Sequence, residues 1–523
     1  MNQKQILEKY IPEGVNIQEH GNLFAYEIEA GDALSMAEKL YFGHELPLKI
    51  ITCVDERKES GSFKIFYIFG VPGKNIFIAP FIQLKNTEEF PSIVNSIHEA
   101  SGYERRIYTF FGLKPVGHPS PRPIILHENW PAGAYPLRKD FDWQTRPEGS
   151  GAPYEFTKVE GEGICEIPVG PVHAGIIEPG HFRFSVAGEE IMLLEPKLGY
   201  KHKGIEKLFE VLPQEEKLRL SERISGDSSF SHSLAYCQAL ESLGDIEVPA
   251  RAKYLRVIFA ELERLANHLG DLGAMMLDTG FNFGGSHGAR LRERIIQWSE
   301  RLAGSRFLRG INAVGGVKKN IAPEAGDDLA RDLDKIEKDF NEVIDIAENS
   351  SSVLNRLKGT GKLDQEIARD HGVVGVPGRA AGMAADVRKD FPYAAYGKLK
   401  LDLAGETGGD VYARFCVRVK EVHSSIALIK EALEKLPADE KILSVQASKF
   451  KKSSYVLSAA EGWRGEIVYF VATDKDGEIC RVEPRDPSFL NWTVLGHAGK
   501  GNVVPDFPLI NKSFNLSYSG NDL

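Results

Sequence analysis

Cysteine is scarce in this chain of 523 residues, and none of its cysteines lies in a CxxC motif. The five are Cys53, Cys165, Cys237, Cys416 and Cys480. Such dispersed cysteines exclude a zinc ribbon and a sequence-local iron–sulfur motif, and they argue against a disulfide framework. We therefore expect a reduced, cytoplasmic environment.

Long apolar runs are also lacking, because no stretch approaches the roughly eighteen residues of a membrane-spanning helix. The first residues, MNQKQILEKYIPEG, contain no apolar segment of the signal-peptide type. The net charge is −10, with acidic and basic residues interspersed, so the basic surface of a nucleic-acid-binding protein is absent. Any association with a membrane is expected to come through a partner protein.

The N-terminal part of the chain, residues 1–142, has the patterns of a small α/β domain. Apolar and polar residues partly alternate at Asn22–Glu29 and Phe63–Phe69, as they do in half-buried strands. The apolar residues of Glu88–Ala100 have helical spacing, and a first helix is expected around Ile6. A chain of this length is expected to contain further cores beyond this domain.

A longer, mainly helical domain is predicted for residues 164–523, after a linker. The linker, residues 143–163, is rich in Gly, Pro and Glu and has no apolar periodicity. Several long amphipathic helices imply a bundle with its core between them. These helices are predicted at Pro249–Leu277, Leu329–Ile344 and Val411–Leu433. Small β-sheets are expected at both ends of this domain, which makes the fold class α+β.

The predicted sheets come from strand patterns on either side of the helices. Phe182–Ala187 alternates, Gly188 and Glu189 form a turn, and Ile191–Glu195 follows, which is the pattern of a β-hairpin. Strand patterns return at Tyr455–Ala459, Glu466–Ala472 and Ile479–Glu483. The glycine-rich stretch Gly284–Gly288 lacks the lysine and the preceding strand of a phosphate-binding loop, so we interpret it as a loop between helices.

Two sequence motifs have the frame of a metal site without its ligands. The first is Arg223-Ile-Ser-Gly-Asp-Ser-Ser-Phe-Ser-His232, which resembles the RxCGxCxxxH signature of NiFe-hydrogenase large subunits. The second is Asp486-Pro-Ser-Phe-Leu-Asn491, which resembles their C-terminal DPCxxC. The four cysteine positions hold Ser225, Ser228, Ser488 and Asn491. Nickel and iron in such a site require thiolates, and a hydroxyl is a harder and weaker donor, so we predict that no NiFe centre is bound.

Further motifs resemble the subunits of respiratory complex I. Tyr103–Gly112, Gly117-His-Pro119 and Pro136–Phe141 are similar to the signature of the 30-kDa-type subunit. Arg256–His268 resembles a helix shared by hydrogenase large subunits and the 49-kDa-type subunit of complex I, and Glu461–Glu466, EGWRGE, resembles the latter. The chain is thus identified as a 30-kDa-type docking domain fused to a domain of the hydrogenase large-subunit and 49-kDa type, related to energy-converting hydrogenases.

The resemblance implies a place in a larger oxidoreductase. It implies an adjacent small subunit that carries a 4Fe-4S cluster, and membrane antiporter-like subunits that couple electron transfer to ion translocation. The chain would be the soluble-arm core, held peripherally on the inner face of the cell membrane. It would pass electrons to an acceptor, with quinone the expected one, and bind no other cofactor itself. The alternative is a scaffold subunit without catalysis.

The resemblance also implies candidate residues for an acceptor site. In quinone-reducing relatives a histidine on the N-terminal hairpin loop holds the head group, which corresponds here to His173 or His181. An acidic residue that orients it falls on Asp278 by helix register. The tyrosine of the family falls on Gly226, which offers no proton donor.

Three more residues are candidates through their places in the motifs. Arg223 and His232 stand at the two ends of the first motif. Arg379 matches an arginine that faces the metal in hydrogenases; without a metal it would bind an anionic or carbonyl group, or pair with Asp386. We predict catalytic roles for His232, Asp278 and Arg379, and acceptor-binding roles for His173, His181 and Arg223.

Overall fold

The computed structural model describes residues 3–149, 151, 153–173, 177–438, 443–445 and 449–523. The fold is α+β, as the sequence predicts: an N-terminal mixed sheet precedes a helical region that has a small sheet at each end. Among the described helices, none combines the length and apolarity needed to cross a bilayer.

The N-terminal module is a five-stranded sheet with short helices. Its elements are α1 (Gln3–Tyr10), β1 (Gln18–His20), β2 (Leu23–Glu27), α2 (Ala33–Glu38), β3 (Leu48–Glu56), β4 (Ser62–Val71), β5 (Ile76–Leu84), β6 (Glu89–Pro91), α3 (Ala100–Phe111) and β7 (Lys114–Val116). The strand order is β1-β2-β5-β4-β3, in which only β2 and β5 are parallel. The predicted strands at Asn22–Glu29 and Phe63–Phe69 are confirmed as β2 and β4.

The prediction of a helix at Glu88–Ala100 is wrong. Its first residues form β6, which pairs with β7, and a series of turns leads to α3. Pro91 disfavours helical backbone at Phe90, and the buried carboxylate of Glu104 accepts a hydrogen bond from the N–H of Ile93 at 2.8 Å. The apolar residues of this segment are buried, but the segment reaches the core as a series of turns instead of a helix. Glu104 of α3 stabilises these turns.

The second module begins with a three-stranded sheet and continues as helices. Its first elements are β8 (Ile164–Val169), β9 (His181–Ala187), β10 (Glu190–Lys197), α4 (Ile205–Val211), α5 (Gln214–Ser221), α6 (Ser229–Leu243), α7 (Ala250–Asp278) and α8 (Asn282–Ala303). The predicted hairpin is confirmed, because Ala187 pairs with Glu190 across a two-residue turn. The predicted helix from Pro249 is confirmed as α7.

The rest of the chain completes the bundle and adds a second small sheet. Its elements are β11 (Asn312–Ala313), β12 (Gly316–Val317), α9 (Pro323–Glu348), α10 (Ser351–Leu357), α11 (Gln365–Asp370), α12 (Gly375–Ala380), α13 (Val387–Asp390), α14 (Val411–Glu434), β13 (Tyr455–Gly462), β14 (Gly465–Thr473), β15 (Ile479–Arg485), α15 (Ser488–Asn491), α16 (Leu495–Gly499), α17 (Phe507–Phe514) and α18 (Tyr518–Asp522). The predicted helices α9 and α14 and the strands β13, β14 and β15 are confirmed.

The glycine-rich stretch Gly284–Gly288 is not a loop but part of α8, so that interpretation is wrong. Its glycines allow α7 and α8 to approach closely: a Cβ atom on Gly288 would lie 2.5 Å from the Cα of Gly273. The glycines are therefore explained by the close packing of α7 against α8 and not by phosphate binding.

The two modules share a hydrophobic core. The N-terminal sheet packs against the C-terminal sheet β13-β14-β15, with Phe66 beside Phe470. Buried polar contacts join them as well, including Lys49 with Glu466 at 2.5 Å and the hydroxyl of Thr52 with Glu483 at 2.6 Å. The described residues of 143–163 form no helix or strand, and Tyr154 donates to Glu195 of β10 at 2.8 Å. The domain bounds remain a prediction.

Candidate functional site

A cavity of about 610 Å³ lies in the second module where the first motif meets α7, α8 and the end of the chain. We call it the central cavity. Helices α7 and α8 contribute small residues, including Gly270, Ala274 and Ala289, and also the charged Asp271 and Arg292. Four other segments complete the lining: Ile177 and Glu178 before β9, Ser225–Asp227, Arg464 in the turn between β13 and β14, and residues 512–519 from α17 to α18.

The serines of the first motif are bonded to an ion pair at this cavity. Arg464 donates from Nη1 to Asp227 at 2.5 Å, to Ser225 at 3.2 Å and to Ser228 at 3.3 Å. The hydroxyl of Ser225 donates to Asp227 at 3.0 Å. Burial opposes the ionisation of Asp227, but the charge and hydrogen bonds of Arg464 outweigh it and lower the pKa of Asp227 to about 2.

The residues of the second motif are divided between two places. Ser488 accepts a hydrogen bond from the N–H of Ser517 at 2.9 Å, and the hydroxyl of Ser517 lies 2.9 Å from that of Ser225. Ser225, Ser488 and Ser517 thus form one hydrogen-bonded group, which we call the serine cluster. Asn491 faces away, because its amide exchanges two hydrogen bonds of 3.0 Å with the backbone of Val374. In the parts of the chain that the structure describes, no three His, Cys, Asp or Glu side chains are grouped so as to hold a metal ion.

His232 and Arg223 lie at the ends of the motif but not at the cavity wall. His232 is fully buried, with Nε2 at 3.0 Å from Asp486 and Nδ1 at 3.1 Å from the hydroxyl of Tyr469. Burial raises the pKa of Asp486, but its contacts with His232, together with the charge of Arg464 and a hydrogen bond from Ser488, outweigh burial and lower the pKa. The carboxylate of Asp486 therefore accepts a hydrogen bond from Nε2 of His232. Arg223 is exposed to solvent.

Arg379 is the centre of a buried ion network. Its guanidinium lies 2.7 Å from Glu421, 2.9 Å from Glu461 and 3.5 Å from Asp386. Burial opposes the ionisation of Glu421, yet Arg379 and a 2.6 Å contact with His268 hold the pKa of Glu421 well below its usual range. The predicted pairing of Arg379 with Asp386 is present, but as the longest of three contacts. The arginine fastens α12, α14 and β13 together.

The acid of α7 that lines the cavity is Asp271, not the predicted Asp278. Both lie on α7, but Asp278 is exposed at the end of the helix, about 10 Å further along its axis. Asp271 is buried and accepts from Arg418 at 3.1 Å and from Asn515 at 2.7 Å, and Lys512 lies 3.3 Å away. The two acids share a helix face, so the register alone did not distinguish them.

The two candidate histidines before β9 point to different surroundings. His173 lies with Nε2 at 3.4 Å from the hydroxyl of Tyr518, which lines the central cavity. Nδ1 of His181 donates to the carbonyl of Gly170 at 3.2 Å, and its ring packs on Phe156 of the predicted linker. Burial lowers the pKa of both histidines. Of the two, His173 is therefore beside the cavity; the intervening residues 174–176 lie outside the described residues.

Sequence reasoning missed several residues that line the cavity, among them Asp271, Arg464, Lys512 and Tyr518. Arg464 lies inside the EGWRGE motif, so its position in a recognised motif was a usable signal. Lys512 and Tyr518 lie beyond the last motif, in a segment with no distinctive pattern. Only the tertiary structure brings that segment to the first motif.

The fold and the site together define a protein of the complex I and hydrogenase type, in which a 30-kDa-type module precedes a 49-kDa-type module. Residues 278–522 match the family described as respiratory-chain NADH dehydrogenase, 49 Kd subunit, and residues 26–147 match the 30 Kd subunit. The chain belongs to the family of fused 30- and 49-kDa-type subunits of complex I and related hydrogenases.

Curated relatives come from both branches of this family. Formate hydrogenlyase subunit 5 of Escherichia coli is 34% identical, over 93% of this chain and 86% of its own length. Hydrogenase-4 component G of the same organism is also 34% identical, over 98% and 89%. The fused C/D subunit of NADH-quinone oxidoreductase from Phocaeicola vulgatus is 30% identical, over 79% and 82%.

Proposed function

We propose that this chain is the soluble-arm core subunit of a membrane-associated, complex-I-like oxidoreductase, and that it holds the electron acceptor in the central cavity. The cavity carries the proposal, because its volume of about 610 Å³ is that of a small-molecule site and the first motif forms part of its wall. The glycines and alanines of α7 and α8 offer apolar surface, and residues such as Asp271 and Arg464 offer polar groups. A quinone head group has this combination of a flat ring and polar oxygens.

The residues at the cysteine positions do not fit a NiFe centre. Three are serines and one is an amide that is committed to Val374. Thiolates are the donors that such a centre needs, and a neutral hydroxyl binds it much more weakly. In addition, the positively charged Arg464 donates hydrogen bonds to the hydroxyl oxygens of Ser225 and Ser228. These bonds use oxygen lone pairs that would otherwise coordinate a metal ion. The proposed activity therefore proceeds without nickel.

Electrons would come from a 4Fe-4S cluster in a small iron–sulfur partner protein, and this chain would bind and protonate the acceptor. Two large apolar side chains of the cavity lining, Ile177 and Leu277, are exposed to solvent. Exposed apolar surface of this kind is found at contacts with partner proteins. Membrane antiporter-like subunits would hold the complex peripherally on the inner face of the cell membrane.

The first experiment fills the cavity in the intact complex. Ala289 is an exposed residue of α8 that lines the cavity, and Gln297 is an exposed residue of the same helix that does not. Ala289→Phe should reduce the electron-transfer rate to decylubiquinone or menadione at least tenfold, and Gln297→Phe should leave it near wild type. Equal rates in all three proteins would contradict an acceptor site in this cavity.

The second experiment measures metal and hydrogen. Purified complex should contain no stoichiometric nickel by elemental analysis and should evolve no hydrogen from a reduced low-potential dye. Stoichiometric nickel in the isolated chain, or infrared bands of iron-bound cyanide and carbon monoxide, would overturn the proposal, because both require ligands that the four substituted positions do not supply.

A second candidate function is a scaffold that joins the iron–sulfur protein to the membrane subunits without catalysis. The observation that favours it is the burial of His232 and Arg379 in contacts with other protein groups, away from the cavity. Assembly of a fully active complex that contains Ala289→Phe would support the scaffold. Loss of electron transfer with assembly preserved would support the acceptor site.

A further inference from the structure

Arg292 of α8 lies where two cavities adjoin. It lines the central cavity and also a smaller cavity of about 30 Å³. Its side chain lies across Gly270 of α7, because a Cβ on Gly270 would be 2.7 Å from Cδ and 3.2 Å from Nε of Arg292. The glycine therefore leaves the space in which an arginine of α8 reaches the wall of the central cavity.

The guanidinium of Arg292 makes no hydrogen bond or ion pair with any residue that the structure describes. Two acids lie nearby, and both are bonded to other groups. Glu293, the next residue of α8, accepts two hydrogen bonds from Arg306 at 3.1 and 2.7 Å. Glu263, which lines the smaller cavity, accepts from two backbone N–H groups at the start of α6. The donors of Arg292 are therefore available to a ligand.

The acids that line the central cavity have other partners as well. These acids are Glu178, Asp227 and Asp271. Asp227 is buried, but the charge of its partner Arg464 outweighs burial and lowers its pKa to about 2, so it is ionised at neutral pH. Asp271 lies 3.1 Å from Arg418 and 3.3 Å from Lys512. Glu178 accepts from a backbone N–H of α18 at 2.9 Å and lies 3.9 Å from Lys201.

Positive charge is in surplus around the central cavity. The cations that line it are Arg292, Arg464 and Lys512, and its acids are also contacted by Arg418 and Lys201. Within the described part of the chain, these five cations are set against three carboxylates. Water screens charges less in a partly enclosed site than in bulk solution, so the surplus favours the binding of an anion.

We infer that the acceptor in the central cavity carries an anionic group, such as a carboxylate, sulfonate or phosphate, and that Arg292 binds this group. The inference rests on the proposed function and specifies the class of acceptor. A guanidinium presents parallel N–H donors, which match two oxygens of such a group. The apolar surface of α7 and α8 remains available to the ring of the acceptor.

Two substitutions of Arg292 separate its charge from its shape. Arg292→Gln removes the charge and keeps a polar side chain, whereas Arg292→Lys keeps the charge and loses the fork of donors. Neither substitution enlarges the side chain that lies across Gly270. Arg301→Gln is the control, because Arg301 lies on the same helix, pairs with the exposed Asp328 at 2.8 Å and does not line the cavity.

The test uses single-turnover oxidation of the intact, reduced complex after excess reductant has been removed. The acceptors are menadione and its sulfonate analogue, in which a sulfonate replaces the methyl group on the same naphthoquinone ring. The half-saturating concentration of each acceptor is expressed as the ratio of variant to wild type, so the difference in potential between the two acceptors cancels.

Arg292→Gln should raise the half-saturating concentration about 30-fold for the sulfonate analogue and less than about threefold for menadione, because it removes a charge-assisted hydrogen bond to the sulfonate. Arg292→Lys should recover part of this loss, and Arg301→Gln should equal wild type with both acceptors. In the wild-type complex, added salt should weaken the sulfonate analogue and leave menadione unchanged.

Other outcomes overturn the inference. Equal losses with both acceptors would place Arg292 on a quinone oxygen that the two share, and the anionic class would be wrong. Unchanged values in Arg292→Gln, or an equal salt dependence of the two acceptors, would also contradict it. In these cases a slow Ala289→Phe complex still supports an acceptor in the cavity. If Ala289→Phe is as fast as wild type with both acceptors, the acceptor site itself is wrong, and the inference with it.

Discussion

Nε2 of His232 lies 3.0 Å from the carboxylate of Asp486, and both side chains are almost completely buried. The two residues belong to the first and the second motif, which are far apart in the chain. Their contact fastens the start of α6 to the end of β15 beside the serine cluster. The two motifs are therefore joined by a buried contact beside the serine cluster.

His232→Ala should destabilise the chain by about 3 kcal/mol, because it leaves the buried carboxylate of Asp486 without its histidine partner. Thermal or urea unfolding at pH 7 measures this change. His423→Ala is the control: His423 pairs with Glu337 at 3.0 Å, but both side chains are at least 30% exposed. A loss below about 1 kcal/mol is expected there, as for other exposed ion pairs. Equal losses in the two variants would contradict the structural role of His232.

Arg379→Ala should lose about 4 kcal/mol, because Glu421 and Glu461 would keep their burial and lose their shared cation. Arg301→Ala removes an exposed arginine that pairs with Asp328 at 2.8 Å and should change stability by less than about 1 kcal/mol. Unfolding of the purified chain gives both numbers. A fully stable Arg379→Ala protein with a raised KM for the acceptor would instead assign Arg379 to acceptor binding.

Much of the fold was predictable from local patterns. Helices α7, α9 and α14 have long apolar stripes, and the Gly188-Glu189 turn marks the hairpin. The two errors, at Glu88–Ala100 and Gly284–Gly288, have a common cause. In each, a neighbour from another segment decides the backbone: Glu104 holds the turns around Ile93, and Gly273 of α7 packs against α8.

The site was predictable only in part. The motif placed Ser225, Gly226 and Ser228 together, and the structure places Ser225 and Gly226 at the central cavity. The partners that determine what the motif can do come from distant positions, including Arg464 and Tyr518. Sequence spacing contains no information on such contacts. Helix register therefore pointed to Asp278, which lies two helical turns from Asp271.

The close approach of α7 and α8 predicts that Gly288→Ala is destabilising. The new methyl group would lie 2.5 Å from the Cα of Gly273, a backbone atom that cannot move aside, so the helices must separate. Overpacking of this kind costs about 2 kcal/mol. Gly405→Ala is the control, because nothing lies within 4 Å of the position of its Cβ. Urea unfolding of both variants measures the difference, and an unchanged midpoint for Gly288→Ala would show that the crossing is looser than described.

Glu263 provides a prediction with a definite pH dependence. Its buried carboxyl accepts from the N–H groups of Phe230 and Ser231 at 2.7 and 3.1 Å, yet burial, with a smaller contribution from Asp227, raises its pKa from 4.5 to about 7. The unfolded chain therefore releases this proton at lower pH than the folded one. The folded state loses stability as the pH rises from 4.5 to about 7, and the loss stays constant above that.

Glu263→Gln keeps a hydrogen-bond acceptor but cannot ionise, so it should be about as stable as wild type at about pH 4.5. At about pH 8 it should be more stable by about 3 kcal/mol, because the wild type then contains a buried charge without a cation of its own. Unfolding at the two pH values measures the change, with Glu342→Gln on the exposed face of α9 as the control for loss of a surface charge. A variant that is less stable than wild type at the higher pH would mean that the carboxylate form is the one that the folded protein prefers.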